Sequence, residues 1–153
     1  MTVDTESERG LLGIAVMNRT DDAAATATTL NSTRKFVFLY YTESNDGELR
    51  NRVYEYSWNA QDQTLMNPTL ILDLPALPGP NHDGGKLVIG PDRYLYSVIG
   101  DLNHRGKIQN IIDGSDPDDT SVIFRVKPDD GSAAPNIDMN KYYAYSIRNS
   151  FGI

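Results

Sequence analysis

Apolar and polar positions alternate with a period of two along much of the chain, in short runs separated by turn residues. Residues 51–58 (NRVYEYSW) set Val53, Glu55 and Ser57 against Tyr54, Tyr56 and Trp58, the spacing of a strand with one face turned inward. Residues 35–42 (KFVFLYYT) are dense in β-branched and aromatic side chains, 13–17 (GIAVM) form a buried-looking run, and 69–74 (TLILDL) end at the breaker PALPGP of 75–80. These runs predict strands over roughly 11–17, 35–43, 50–58 and 68–74. Residues 21–30 (DDAAATATTL) contain alanines but no apolar stripe at helical spacing, and read as a surface loop insertion.

The plan then repeats. Residues 86–89 (KLVI) precede the turn Gly90-Pro91-Asp92-Arg93; 94–99 (YLYSVI) match the second run of the first group, and 121–127 (SVIFRVK) match the third. Strands are therefore expected over roughly 85–89, 94–100 and 121–127. A further strand near 142–147 (YYAYSI) reads as the opening of a third group. Four-strand groups recurring every several tens of residues mark propeller blades, and a propeller needs roughly four to eight of them to close. About two blades plus the start of a third are present, so the fold class is all-β, with the chain (1–153) expected to be truncated at both ends. A compact two-sheet sandwich is the alternative that the pattern leaves open.

Composition narrows the function classes. The net charge of −7 and the lack of any Lys/Arg cluster argue against a nucleic-acid partner. The longest uncharged runs are too short or too polar to span a bilayer. Cysteine is absent, which removes disulfides, thiolate metal sites and cysteine nucleophiles. Residues 1–6 (MTVDTE) lack the basic and apolar stretches of a signal peptide; either the protein is not exported or the sequence starts downstream of its true beginning. The acid-rich stretch 113–119 (DGSDPDD) lacks the ligand order of an EF-hand and reads as a solvated turn. No GxGxxG, P-loop, HExxH or GxSxG pattern occurs, so nicotinamide, nucleotide, zincin and serine-hydrolase chemistry lose their usual support.

Residues 81–101 read NHDGGKLVIGPDRYLYSVIGD, and three further stretches lie in order around them: ERGLLGIA (8–15), FLYYTE (38–43) and IRNSFGI (147–153). Together they resemble the soluble quinoprotein glucose/sorbosone dehydrogenases over nearly the whole chain. The resemblance implies part of a six-bladed β-propeller. Family members oxidise aldose sugars with pyrroloquinoline quinone (PQQ), many use calcium, and most are exported. It places the parent protein in the periplasm or outside the cell, with a small-molecule sugar substrate, an unspecified electron acceptor, and any calcium bound by parts of the propeller not present here. Lys86 stands where many members have Arg, Val122 where a Gly often precedes the strand, and the loop 18–34 is longer and more polar than usual.

His82 is the leading candidate for chemistry. It lies on a loop beside Gly84 and Gly85, where the backbone permits close approach. Oxidising a sugar alcohol requires a base for the hydroxyl proton, and imidazole titrates near working pH; the resemblance makes His82 that base. Asp101, at the end of its strand, either orients the imidazole or simply caps a turn. Arg148 and Asn149 are implied to meet the quinone, since a tricarboxylate calls for a planar cationic fork and amides; Arg148 would also polarise the hydride-accepting carbonyl. Glu8 matches a cofactor-side position that often holds Gln. Asn81 and Gln109 are implied on the substrate side, and His104 reads as a surface residue. No metal ligands are assigned. The rival from another class is a non-catalytic propeller that binds glycans or protein partners, and joint retention of His82, Asp101, Arg148 and Asn149 favours the enzyme. The isolated chain, short of blades, is expected to be inactive.

Overall fold

The computed structural model describes residues 2–20, 33–103, 117–135 and 139–153. Among them every regular element is a strand: β1 (Thr2–Val3), β2 (Leu11–Thr20), β3 (Thr33–Asn45), β4 (Glu48–Asn59), β5 (Thr64–Pro75), β6 (Leu87–Ile89), β7 (Leu95–Ile99), β8 (Val122–Val126) and β9 (Tyr142–Tyr145). The expected loop at 21–30 lies outside the described residues. The eight strands expected from the pattern occur, each of the first four longer than predicted. β1 escaped notice because two residues carry no period.

In the first sheet β2, β3, β4 and β5 pair antiparallel in sequence order. β1 continues the β2 edge of β3, with Thr2 opposite Ser44 and Val3 opposite Glu43. The β3–β4 hairpin turns on Asp46 and Gly47, at φ +49° and +84°, between the paired Asn45 and Glu48. Positive φ at both central residues suits a two-residue turn whose twist matches the strands. In the second sheet β6, β7, β8 and β9 again pair antiparallel in order.

The strand at Tyr142 therefore closes the second sheet instead of opening a third group. Val122 pairs with Tyr145 and Ile123 with Ala144, the Phe124 and Tyr142 rings lie 5.6 Å apart, and Lys141 and Tyr142 both reach Asp119. Alternation shows that a strand exists but not which edge it joins, since neighbours in a meander run antiparallel either way. Arg148 and Asn149 thus follow the last strand of the second sheet, not the first strand of a third.

Inward-facing residues of both sheets share one core, with Phe38, Tyr40, Val53 and Leu74 from the first and Leu95, Ile99, Val122, Phe124 and Val126 from the second. The sheets meet along β2 and β6. A Cβ on Gly13 would stand 1.9 Å from the Gly85 carbonyl oxygen, and one on Gly85 2.3 Å from Leu12 Cβ. Backbone-to-backbone contact at this seam exists only because both positions lack a side chain. The seam places the loop leaving β5 at the junction of the two sheets.

Candidate functional site

The link from β5 to β6 carries His82 at φ +66°, followed by Gly84 at +72° and Gly85 at +107°. A histidine in the left-handed region is uncommon and must be held there by its surroundings. Its N–H donates to Glu8 Oε2 at 2.6 Å, and the Glu8 N–H donates to the Pro80 carbonyl at 3.3 Å. Glu8 thereby ties the segment before β2 to the His82 loop.

The imidazole is held from the other sheet. Its Nδ1 lies 2.5 Å from Asp101 Oδ1, with the histidine side chain 20% exposed and the aspartate 9%. A carboxylate on Nδ1 keeps the proton on that nitrogen and leaves Nε2 as the acceptor. Asp101 Oδ1 also accepts the Asn103 N–H at 3.1 Å, so both roles weighed for this aspartate, turn cap and imidazole partner, meet on one oxygen.

Gly100 makes this approach possible. A Cβ there would lie 2.3 Å from the His82 carbonyl oxygen and 2.5 Å from that of Arg148. The Asp101 N–H donates to the Arg148 carbonyl at 2.9 Å, so the end of β7, the His82 loop and the segment after β9 converge at one point. The Arg148 side chain is exposed, with no hydrogen-bond or ion-pair partner among the described residues. Asn149 Nδ2 donates to Glu8 Oε2 at 3.4 Å, while its buried Oδ1 has no partner. Asn81 accepts from the Ser7 hydroxyl through its side-chain oxygen.

Glu8, Asn81, His82, Asp101, Arg148 and Asn149 therefore form one neighbourhood although they span most of the chain. Gln109 and His104 lie outside the described residues, as do the first four residues of the acid-rich stretch. Of its last two, Asp118 caps a turn by accepting from Thr120 and Asp119 pairs with Lys141.

Two buried ionisable residues adjoining motif residues of the site went unnoticed in the sequence. Asp83, fully buried, accepts from Asn51 Nδ2 at 2.9 Å; burial pushes its carboxyl above the usual range, against the pull of the Asn51 hydrogen bond and the Arg9 charge. Arg9 is 3% exposed, pairs with Glu6 at 3.0 Å and donates to the Ala76 carbonyl at 3.1 Å. The one signal for either was adjacency to a motif residue, Asp83 to His82 and Arg9 to Glu8.

The chain, a five-stranded sheet followed by a four-stranded one, is similar to known proteins. The glucose/sorbosone dehydrogenase family profile matches residues 2–153. The chain belongs to that family. Quinoprotein glucose dehydrogenase B of Acinetobacter calcoaceticus is 40% identical over 62 residues, 39% of this chain and 13% of that protein. The PQQ-bound aldose sugar dehydrogenase of Streptomyces coelicolor matches with a TM-score of 0.68 at 27% identity, over 96% of this chain and 39% of its own. A glucose dehydrogenase-type oxidoreductase of Thermus thermophilus matches at 0.70 and 26%, over 97% of this chain and 41% of its own. The chain thus spans about two fifths of the length of these solved structures. Its two sheets are blades of the propeller-type sugar dehydrogenase fold.

Proposed function

We propose that the whole protein oxidises aldose sugars or related polyols with PQQ as electron acceptor, and that His82 is the general base. The observation that carries this reading is the contact between His82 Nδ1 and Asp101 Oδ1 at 2.5 Å, which leaves Nε2 free to accept. A PQQ-sized tricarboxylate needs cationic and amide donors. Arg148, unpaired among the described residues, and Asn149, with an unpartnered buried amide oxygen, fit that need and would hold it. When bound, PQQ supplies the acceptor for the hydride leaving the sugar carbon.

The chain's own residues handle the proton. Nε2 of His82 takes it from the sugar hydroxyl, and the Asp101 carboxylate stabilises the imidazolium that results. Glu8 keeps the His82 backbone in its left-handed conformation through the bond to the N–H. Asn81, with its oxygen engaged by Ser7, would offer its amide nitrogen to the substrate. Calcium and export rest on the family resemblance and enter no step.

The test is His82→Gln in the whole protein loaded with PQQ, followed by aldose-dependent dye reduction. kcat is expected to fall by about 10²–10⁴-fold, the usual contribution of a general base, with bound PQQ retained. A variant within about threefold of wild type, far inside that range, overturns the assignment of His82.

A further inference from the structure

His82 is held at its ring by Asp101 from the second sheet and at its N–H by Glu8, but neither contact reaches the loop beyond it. Gly84 and Gly85 follow at positive φ and have no side chains with which to anchor it. A Cβ on Gly84 would lie 2.7 Å from the Val98 carbonyl oxygen, and the Gly85 N–H donates to that carbonyl at 2.9 Å, so only backbone meets β7 there. Between His82 and Gly84, Asp83 points into the first sheet and is fully buried.

There it begins a chain of buried polar contacts. Asp83 Oδ1 accepts from Asn51 Nδ2 at 2.9 Å, and the same amide nitrogen donates to the Pro75 carbonyl at 3.0 Å. Asn51 Oδ1 accepts from the Thr42 hydroxyl at 2.7 Å; Asn51 and Thr42 are both fully buried. The Tyr40 hydroxyl donates to the Asp83 main-chain carbonyl at 3.3 Å. Tyr40 and Thr42 belong to β3 and Asn51 to β4, so the central strands of the first sheet grip Asp83 by side chain and by backbone.

A buried carboxylate is a costly way to fill space, more so here because Oδ2 has no partner. An apolar residue would fill it better, so the position is explained by what the carboxylate holds. We propose that Asp83 is a positioning residue for the base: through Asn51, Thr42 and Tyr40 it lets the first sheet set the backbone of His82 while Asp101 sets the ring from the second. The base is thereby fixed across the seam between two blades. This inference rests on the reading of His82 as general base.

The test uses the whole protein. Asp83→Ala is expected to lower kcat by about tenfold with KM within about twofold, because a loosened base sits out of line while substrate binding persists. Asp83→Asn keeps an acceptor for Asn51 and is expected to restore kcat to within about threefold of wild type. The second readout needs neither cofactor nor turnover. In protein labelled with ¹⁵N-histidine, the His82 Nδ1–H signal, assigned by its loss in His82→Gln, should broaden or vanish in Asp83→Ala and persist in Asp83→Asn. Tyr40→Phe and Thr42→Val, which remove single hydroxyls, should weaken the signal in the same direction and serve if Asp83→Ala does not fold.

An Asp83→Ala protein that only melts earlier, with kcat and the imidazole signal unchanged, makes Asp83 structural and overturns the inference. It is overturned equally if both hydroxyl variants leave the signal untouched. Should His82→Gln keep its activity, the general-base reading fails instead, whatever the Asp83 variants do.

Discussion

Replacing Gly100 with Ala probes the convergence of the site directly. The added Cβ would lie 2.3 Å from the His82 carbonyl oxygen and 2.5 Å from that of Arg148. Both are backbone atoms and cannot rotate away. Restoring ordinary contact requires each segment to retreat by about 1 Å. Asp101 is the next residue, so the retreat moves the carboxylate away from an imidazole now 2.5 Å distant. A misplacement of about 1 Å at a reacting group costs on the order of 10²-fold in rate, and overpacking of this kind destabilises by about 1–3 kcal/mol. Gly100→Ala in the whole protein is thus expected to lose about 10²-fold in kcat/KM, measured well below its melting temperature. Gly90→Ala is the control: its Cβ would lie 2.4 Å from Asp92 Oδ1 and 2.6 Å from Tyr96 Cε2, side-chain atoms that can move aside. It should cost stability but leave kcat/KM within about twofold, since side-chain relaxation confines the strain. A folded Gly100→Ala enzyme with wild-type kinetics refutes the argument that this pinch sets the base.

Further outcomes follow from the same contacts. Asp101→Asn removes the charge behind the imidazole and is expected to lower kcat/KM by about 10²-fold; a change below about threefold, checked by the same dye assay, contradicts a role for the carboxylate. Burial raises the Asp83 carboxyl, with the Asn51 hydrogen bond and Arg9 opposing, so the folded state keeps this proton to higher pH than the unfolded chain. The associated stability is complete below the ordinary carboxylate value, about 4, and is lost as pH rises through the raised one. The urea midpoint of Asp83→Asn should therefore gain on wild type between pH 4 and 7, the span from about that ordinary value to neutrality; a constant gap rules the shift out. Arg52 bonds Glu43 at 2.7 Å and Asp73 at 2.9 Å, so Arg52→Ala should cost about 1 kcal/mol by denaturant unfolding, less in high salt, with kcat unchanged. A loss that ignores salt would show that packing of the arginine stem, not charge, carries the effect.

Strand content was legible because a sheet with a buried face writes its period into the chain. Residues 51–58 alternate so regularly that β4 could be placed from them alone, and Val53 and Glu55 are buried as that alternation requires. The His82 and Asp101 pair was legible only through the resemblance of residues 81–101 to a family motif, since nothing in a separation of that length specifies contact. Sheet membership was not legible: whether Tyr142 closes one group or opens another depends on which edge it meets, and antiparallel pairing satisfies either order. Asp83 was the least visible. A carboxylate between a histidine and two glycines has every mark of an exposed turn residue, and no local rule buries it. Its burial comes from the register of β3 on β4, which pairs Thr42 with Asn51 and brings both under a loop from further along the chain. The sequence by itself determines where the chain extends and turns, because those are properties of neighbouring residues. Which polar groups leave water and whom they meet is decided by tertiary structure, because burial and pairing are made by segments far apart along the chain.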